Sequence, residues 1–254
     1  LAATHCAWTP CSYFDQDNIR KEESTVKFAI PIWTTPAVPV AGTDMHFPVR
    51  RIYCVGRNYG EHAREMGFDP NKEPPFFFSK PADTIVLSGS TIPYPLATKN
   101  YHYEMELVAA IGKQGVHIKR DAALEHVYGY AVGLDMTRRD LQFAARDKGR
   151  PWDPGKGFDQ AAPISAIHRA ADIGHPSSGA IWLKVNGEMK QKGDLKEMIW
   201  PIPDIIAFLS ELFVLQPGDL IYTGTPAGVG PVKPGDEMHG EVEGVDSISI
   251  KIAT

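Results

Sequence analysis

The run "YHYEMELVAAIG", Tyr101 to Gly112, decides the architecture. His102, Glu104 and Glu106 fall at every second position, with Tyr101, Tyr103, Met105 and Leu107 between them. Residues two apart point in nearly opposite directions on a helix but share one face of a strand. A helix would scatter the two carboxylates. A strand sets Glu104 and Glu106 side by side and turns Tyr103, Met105 and Leu107 toward a core, so the run is read as one strand. Whether its acidic face meets solvent or a metal ion stays open on these residues alone, because charged side chains in general favour the outside.

Outward from this strand the same signal repeats. "VRRIYCVG" (49–56) reads as a strand, followed by a short helix in "RNYGEHAREMG" with Asn58 as its cap and Gly67 as its end. "PPFFFSKPADTIVLSG" (74–89) gives two strands broken at Pro81, and "VYGYAVGLDMT" gives another. Arg120 to His126 and "RRDLQFAARDKG" are helical in spacing, whereas "PWDPGKGFDQAAPIS" is a Pro/Gly-rich loop. Asn186-Gly187 between two strand-like runs is a hairpin signal. "PIPDIIAFLSELFVLQPGD" predicts a helix with Pro203 in its first turn and an apolar stripe of Ile205, Ile206, Leu209, Leu212 and Phe213. Two turn-and-strand units follow, "LQPGDLIYTGTP" and "VKPGDEMHGEV". Many short strands with few helices predict a β-rich α+β fold, with antiparallel and mixed pairing around a curved sheet.

At 254 residues and 43% hydrophobic, the chain suffices for one large domain. Residues 1–25 hold two of the three cysteines and no sustained period; they are expected to be a poorly ordered extension, with the natural start near Val26. Residues 26–48 are expected to be an extended arm, opening with a strand in "VKFAIPIW" and continuing through Pro31, Pro36, Pro39 and Pro48 as an extended segment lying against the domain. Residues 49–254 then form the functional domain. A net charge of -5 without any Lys/Arg run argues against nucleic acid or an anionic membrane as partner. No window approaches the roughly 18 apolar residues of a membrane span. A small-molecule function is favoured. Cys6, Cys11 and Cys54 are too few for a disulfide framework, which suits a reducing cytoplasm, and Cys54 in "IYCVG" reads as a buried free thiol.

Two adjacent carboxylates repel unless a cation lies between them or one keeps a proton. An oxygen-only cluster at Glu104 and Glu106 suits Mg²⁺ or Mn²⁺ better than Zn²⁺. Asp135, which ends the strand "YAVGLD", is the candidate third ligand. His62 and Glu65, three apart, fall on neighbouring turns of the short helix, where a carboxylate can hold an imidazole as a base; an ordinary exposed charge pair has the same spacing. Lys80 in "FFFSKP", Lys156 in "PGKGFD" and Thr225 in "YTGTPAGVG" are polar groups in apolar or glycine-rich settings. Lys80 could equally snorkel its stem along apolar surface.

Six segments in order, "CVGRNYGEHAREMG", "FFFSKPADTIV", "YHYEMELVAAIG", "GYAVGLDMTRRDLQ", "GKGFDQAAPI" and "LQPGDLIYTGTPAGVGPVKPGD", resemble the fumarylacetoacetate hydrolase family over about residues 49–253. The N-terminal part is most similar to its bacterial acylpyruvate hydrolase branch. The resemblance implies a mixed β-sandwich roll with few short helices, a homodimer, and Mg²⁺ or Mn²⁺ on Glu104, Glu106 and Asp135. It implies His62 and Glu65 as a catalytic dyad on a lid helix, with Lys156 beside the reacting atoms. Lys80, Arg139, Gln142 and Thr225 match substrate-lining positions, and Arg139 is preferred over Arg138 in "DMTRRDLQ". The activity implied is metal-dependent hydrolysis of a carbon-carbon bond in a 2,4-dioxo acid, such as fumarylpyruvate to fumarate and pyruvate. An isomerase or decarboxylase of a 2-keto acid on the same scaffold is the alternative. A non-catalytic binder of small carboxylates is a third reading. His102 is left as a structural neighbour of the site.

Overall fold

The computed structural model describes residues 27–65, 67 and 74–254. The expected 1–25 extension lies outside the described residues. Residues 27–34 belong to a different unit from Thr35–Thr254 and carry no strand, which corrects the expectation for "VKFAIPIW". Phe28, Ile30, Ile32 and Trp33 are exposed around Pro31, and among the described residues no strand pairs with this segment.

The centre of Thr35–Thr254 is an eight-stranded mixed sheet. Its order is Phe76–Lys80, Arg51–Gly56, Asp219–Tyr222, Met105–Ile111, Val127–Leu134, Ala162–Ile164 and Ile85–Leu87, with His168–Arg169 also paired to Val127–Leu134. Asp219–Tyr222 runs parallel to Arg51–Gly56 and antiparallel to Met105–Ile111. All seven residues of Met105–Ile111 are buried, as expected of a strand covered on both faces. Met105, Leu107, Ala109 and Ile111 join the larger core with Ile181, Leu183 and Val242 of a second, five-stranded sheet. Val108 and Ala110 point the other way, into a smaller core with Ile52, Cys54, Leu220 and Tyr222. Glu106 shares their parity and therefore lies at the end of the smaller core's face. Cys54 is a buried free thiol.

The smaller core is closed by the arm. Ala37–Pro39 and His46–Pro48 pair as a hairpin, and Val38, Val40, Phe47 and Val49 are buried against the sheet. The second sheet contains the Asn186-Gly187 hairpin, Ala180–Val185 with Glu188–Asp194, whose turn residues have φ of 51° and 81°, as a two-residue turn of that type requires.

The helices of the described residues are short: α1 (Gly60–Glu65), α2 (Arg139–Arg146), α3 (Asp153–Lys156), α4 (Ala170–Ile173) and α5 (Ile202–Leu212). Arg120–His126 is a 3₁₀ helix. The expected loop at 151–165 contains α3, whose Gly155 lies so close to α2 that a Cβ would sit 2.8 Å from the Gln142 nitrogen. In α5, Ile205, Ile206 and Leu209 are buried as expected, but Leu212 and, just past the helix end, Phe213 are exposed. The last turn of the helix runs past the edge of the core.

The strand over 101–112 is not continuous. Tyr101–Tyr103 pairs with Thr137–Arg138 and Gly230–Val232 in a small third sheet, while Met105–Ile111 belongs to the central one. Glu104 is the corner between them. Chain corners of this kind are where strands change sheets.

Candidate active site

The corner places Glu104 where Glu106, two residues on, and Asp135, at the end of the neighbouring strand, can reach it. The Asp135 amide donates to the Glu104 carbonyl at 2.8 Å, fixing the two strand ends together. Ligand-capable oxygens of Glu104, Glu106 and Asp135 all lie within 4.8 Å of one another, and all three residues are buried. At an effective dielectric near 20, each pair of charges at such a distance repels by about 3 kcal/mol. Positive charge must therefore be close. Arg139 donates to Glu104 Oε1 at 2.5 Å, and Lys156 Nζ donates at 2.7 Å to both Glu104 Oε2 and Asp135 Oδ2.

Glu106 has less help. Its Oε2 accepts from the Gly224 amide at 2.8 Å, while burial and then the charges of Asp135 and Glu104 push its carboxyl well above the usual range. Asp135 Oδ1 forms an ion pair with Lys80 Nζ at 2.8 Å but accepts no hydrogen bond of good geometry; the ammonium directs two of its three donors to the carbonyls of Met136 and Lys156. A buried carboxylate oxygen without a donor, beside a carboxyl held up by like charge, in an all-oxygen donor set, fits a hard divalent cation. Glu104, Glu106 and Asp135 can hold such an ion.

Across the cleft, α1 presents His62. Its Nδ1 lies 3.3 Å from Glu65 Oε2; the carboxylate only accepts, so Nδ1 carries the proton and Nε2 the lone pair. The Gly228 amide also donates to Glu65 Oε1 at 3.1 Å, tying the helix to the 224–229 loop. His62 is buried, and its desolvation outweighs the nearby Glu104 charge to lower its pKa below the ordinary 6.5. Asn58 does not cap α1 as expected. Its amide donates to the Trp200 and Thr223 carbonyls at 2.9 and 2.7 Å and accepts from the Trp200 amide at 2.7 Å. It is a buried strut beneath the helix.

His62, Glu104, Glu106, Asp135, Arg139, Gln142, Lys156 and Thr225 line one cleft. Glu65 and Lys80 touch it through His62 and Asp135. Lys80 is 2% exposed, so it does not snorkel. Arg139 lines the cleft and also holds Gln142 at 2.6 Å, whereas Arg138 lies 4.2 Å over the Phe158 ring. His102 stands behind, its Nε2 2.7 Å from Asn100 Oδ1 and its Nδ1 accepting from Arg139 Nε at 3.4 Å. Burial, with Arg139 next, lowers its pKa to about 4.

Several lining residues were not anticipated. Arg57, Phe76, Phe78, Arg146 and Trp152 form the outer wall, with the Phe76 and Trp152 rings edge-to-face at 5.3 Å. Gln191, fully buried, lies behind Thr225. The polar run "NGEMKQKGD" gives no signal for Gln191 beyond its parity. Phe76 and Phe78 are visible in sequence only as an apolar run, and Trp152 only as an aromatic in a Pro/Gly-rich loop.

Fold and site together define an enzyme-like β-roll with a carboxylate cluster facing a histidine-bearing helix. The family description "Fumarylacetoacetate (FAA) hydrolase C-terminal" matches residues 51–253. A fumarylpyruvate hydrolase from Ralstonia sp is 53% identical over 184 residues, 72% of this chain and 95% of that one. The mitochondrial oxaloacetate tautomerase FAHD1 of Homo sapiens is 43% identical over 203 residues, 80% of this chain and 91% of that one. The crystal structure of fumarylpyruvate hydrolase from Pseudomonas aeruginosa in complex with Mn²⁺ and pyruvate is similar at a TM-score of 0.87 and 52% identity, covering 89% of this chain and 99% of that one. The chain belongs to the fumarylacetoacetate hydrolase family.

Proposed function

We propose that this protein is a metal-dependent hydrolase that cleaves the bond between carbons 3 and 4 of a 2,4-dioxo acid, converting fumarylpyruvate to fumarate and pyruvate. One observation carries the reading: three buried carboxylates share a cleft with a histidine hydrogen-bonded to a glutamate. The Ralstonia and Pseudomonas relatives, named for that reaction, support it.

A Mg²⁺ or Mn²⁺ ion on Glu104, Glu106 and Asp135 would supply Lewis-acid stabilisation of the negative charge that develops on the pyruvate moiety. His62, oriented through Nδ1 by Glu65, takes a proton at Nε2 from the water that attacks carbon 4. The bond between carbons 3 and 4 then breaks, its electron pair passing to carbon 3 as an enolate, and the proton on His62 is returned to that carbon. Lys156, whose ammonium already bridges Glu104 and Asp135, adds positive charge beside the enolate. Arg139, itself held by Gln142, keeps the Glu104 carboxylate in place, and Lys80 does the same for Asp135. The aromatic wall with Arg57 and Arg146 suits a flat unsaturated acyl chain ending in an anion. The reading places the catalytic domain at residues 49–254 and includes a homodimer.

Purified protein supplied with Mn²⁺ and fumarylpyruvate should release equal amounts of fumarate and pyruvate; no release of either removes this substrate. The FAHD1 relative, named an oxaloacetate tautomerase, supports a second reading as oxaloacetate keto-enol exchange, and a Dictyostelium discoideum relative named a mitochondrial oxaloacetate decarboxylase supports decarboxylation. Enolic oxaloacetate followed by ultraviolet absorbance, with carbon dioxide measured alongside, separates these activities from carbon-carbon hydrolysis.

A further inference from the structure

Gln191 joins the carboxylate corner to the far wall of the cleft. Its Oε1 accepts from the Met105 amide at 3.0 Å, and its Nε2 donates at 2.8 Å to both Thr225 Oγ1 and the Pro226 carbonyl. The orientation of the amide is fixed by its partners. A backbone N–H needs the oxygen and a carbonyl needs the nitrogen, so a flipped amide would lose both bonds. Both amide hydrogens are thereby committed, one of them to Thr225. The threonine oxygen accepts, and its own hydrogen remains to be donated elsewhere. Among the described residues no protein acceptor takes that hydrogen, and Thr225 lines the cleft next to Gly224, whose amide holds Glu106.

We infer that Gln191 is a positioning residue: it sets the polarity of the Thr225 hydroxyl so that the hydroxyl donates to a substrate oxygen. It does so from Met105, the residue between Glu104 and Glu106, so the donor and the carboxylate pair are held in register by one side chain. This inference rests on the hydrolase reading above.

The test is a double-mutant cycle on the Mn²⁺-loaded protein. Gln191→Glu keeps an acceptor for the Met105 amide but offers Thr225 an oxygen in place of a donor, which draws the hydroxyl hydrogen away from the cleft. Thr225→Val removes the hydroxyl at nearly constant shape. Each should raise KM for fumarylpyruvate, and the calorimetric Kd for pyruvate, by about tenfold with kcat within about threefold, the pattern of a binding interaction lost equally from ground and transition states. The double variant should match either single one. Effects that multiply to about a hundredfold, or an unchanged KM in Gln191→Glu, overturn the inference. If Gln191→Glu does not fold, Gln191→Met takes its place in the cycle. Thr225→Ser, which keeps the oxygen that Gln191 addresses, should stay within about twofold of the parent, and a Ser variant as poor as Val also overturns it. A parent protein with no hydrolytic activity would defeat the hydrolase reading instead, while the pyruvate Kd would still report on Gln191.

Discussion

At the scale of single residues, His62 has conflicting neighbours whose balance can be measured. Burial disfavours its imidazolium, whereas Glu104 and Glu65 favour it, and burial prevails. A base whose pKa lies below 6.5 is unprotonated throughout the neutral range, so the acid limb of kcat/KM should fall below pH 6.5, with activity present above that pKa and lost as pH drops through it. Glu65→Gln removes a charge that raises this pKa. It should move the limb to still lower pH and reduce the plateau by about tenfold or more; a limb displaced upward in the pH profile would contradict the assignment. His62→Ala should abolish hydrolysis and leave Mn²⁺ affinity within about twofold, because no carboxylate of the cluster bonds to His62, and titration calorimetry measures that affinity directly. At the i, i+3 spacing the pair of His62 and Glu65 reads equally as an exposed charge pair, and Glu104 with Glu106 at i, i+2 as a solvated acidic face; burial of His62 and both glutamates of the strand is what separates the readings. Lys156 and Gln191 were different cases. What places their side chains is tertiary: α3 packing on α2 through Gly155, and a hairpin strand passing behind Thr225. Lys156 stood out as a polar group in a glycine-rich setting and took its role from the resemblance, whereas Gln191 was not reached at all.

At the scale of elements, the corner at Glu104 shows why a correct period can miss a break. Tyr103 and Met105 are both buried, so the alternation reads the same whether the chain continues in one sheet or changes to another. What marks the corner is pairing, which lies far away in sequence at Thr137–Arg138 and Gly230–Val232. The loop after Asp219–Tyr222 closes the corner from the other side. Gly224 has φ of 97°, and a Cβ there would lie 2.7 Å from Asn58 Cβ, while its amide holds Glu106. Gly224→Ala should therefore lose about 1–3 kcal/mol of stability in a denaturant titration and weaken Mn²⁺ binding by about tenfold, as loss of a ligand's supporting bond does. Helix α5 separates pattern from burial in the same way. Its stripe was legible, but where the core ends beneath it was not. Leu209→Ala should cost about 2–5 kcal/mol, whereas Leu212→Ala on the exposed last turn should stay within about 0.5 kcal/mol.

At the scale of the whole molecule, the boundary of the family match and the boundary of the physical core differ. The match begins at residue 51, and the sequence reading likewise placed the domain at 49–254 with the arm outside it. Yet Val38, Val40, Phe47 and Val49 are buried on the face made by Ile52, Cys54, Val108, Ala110 and Leu220. The arm is also bonded to the body: the Ile167 amide donates to the Pro39 carbonyl at 2.8 Å, and the Ala41 amide to the Ile167 carbonyl at 2.9 Å. An extended segment lying against the domain is what the prolines of 31–48 predict, but which side chains enter the core is not readable, since a three-residue strand shows too little period. Fully burying a side chain of this kind contributes about 1.5–3 kcal/mol. Four such side chains are comparable with the roughly 5–15 kcal/mol that holds a whole domain folded. A chain beginning at Arg51 should therefore lack a cooperative thermal transition, because it loses those side chains and exposes the sheet face that carries Glu106 at its end. A chain beginning at Thr35 keeps the hairpin and both cores, and should melt within a few degrees of the full chain when the two are compared by calorimetry. Equal melting temperatures for the two truncations would show that the hairpin is a passenger; loss of the transition in the longer one would show that residues before Thr35 contribute to the fold.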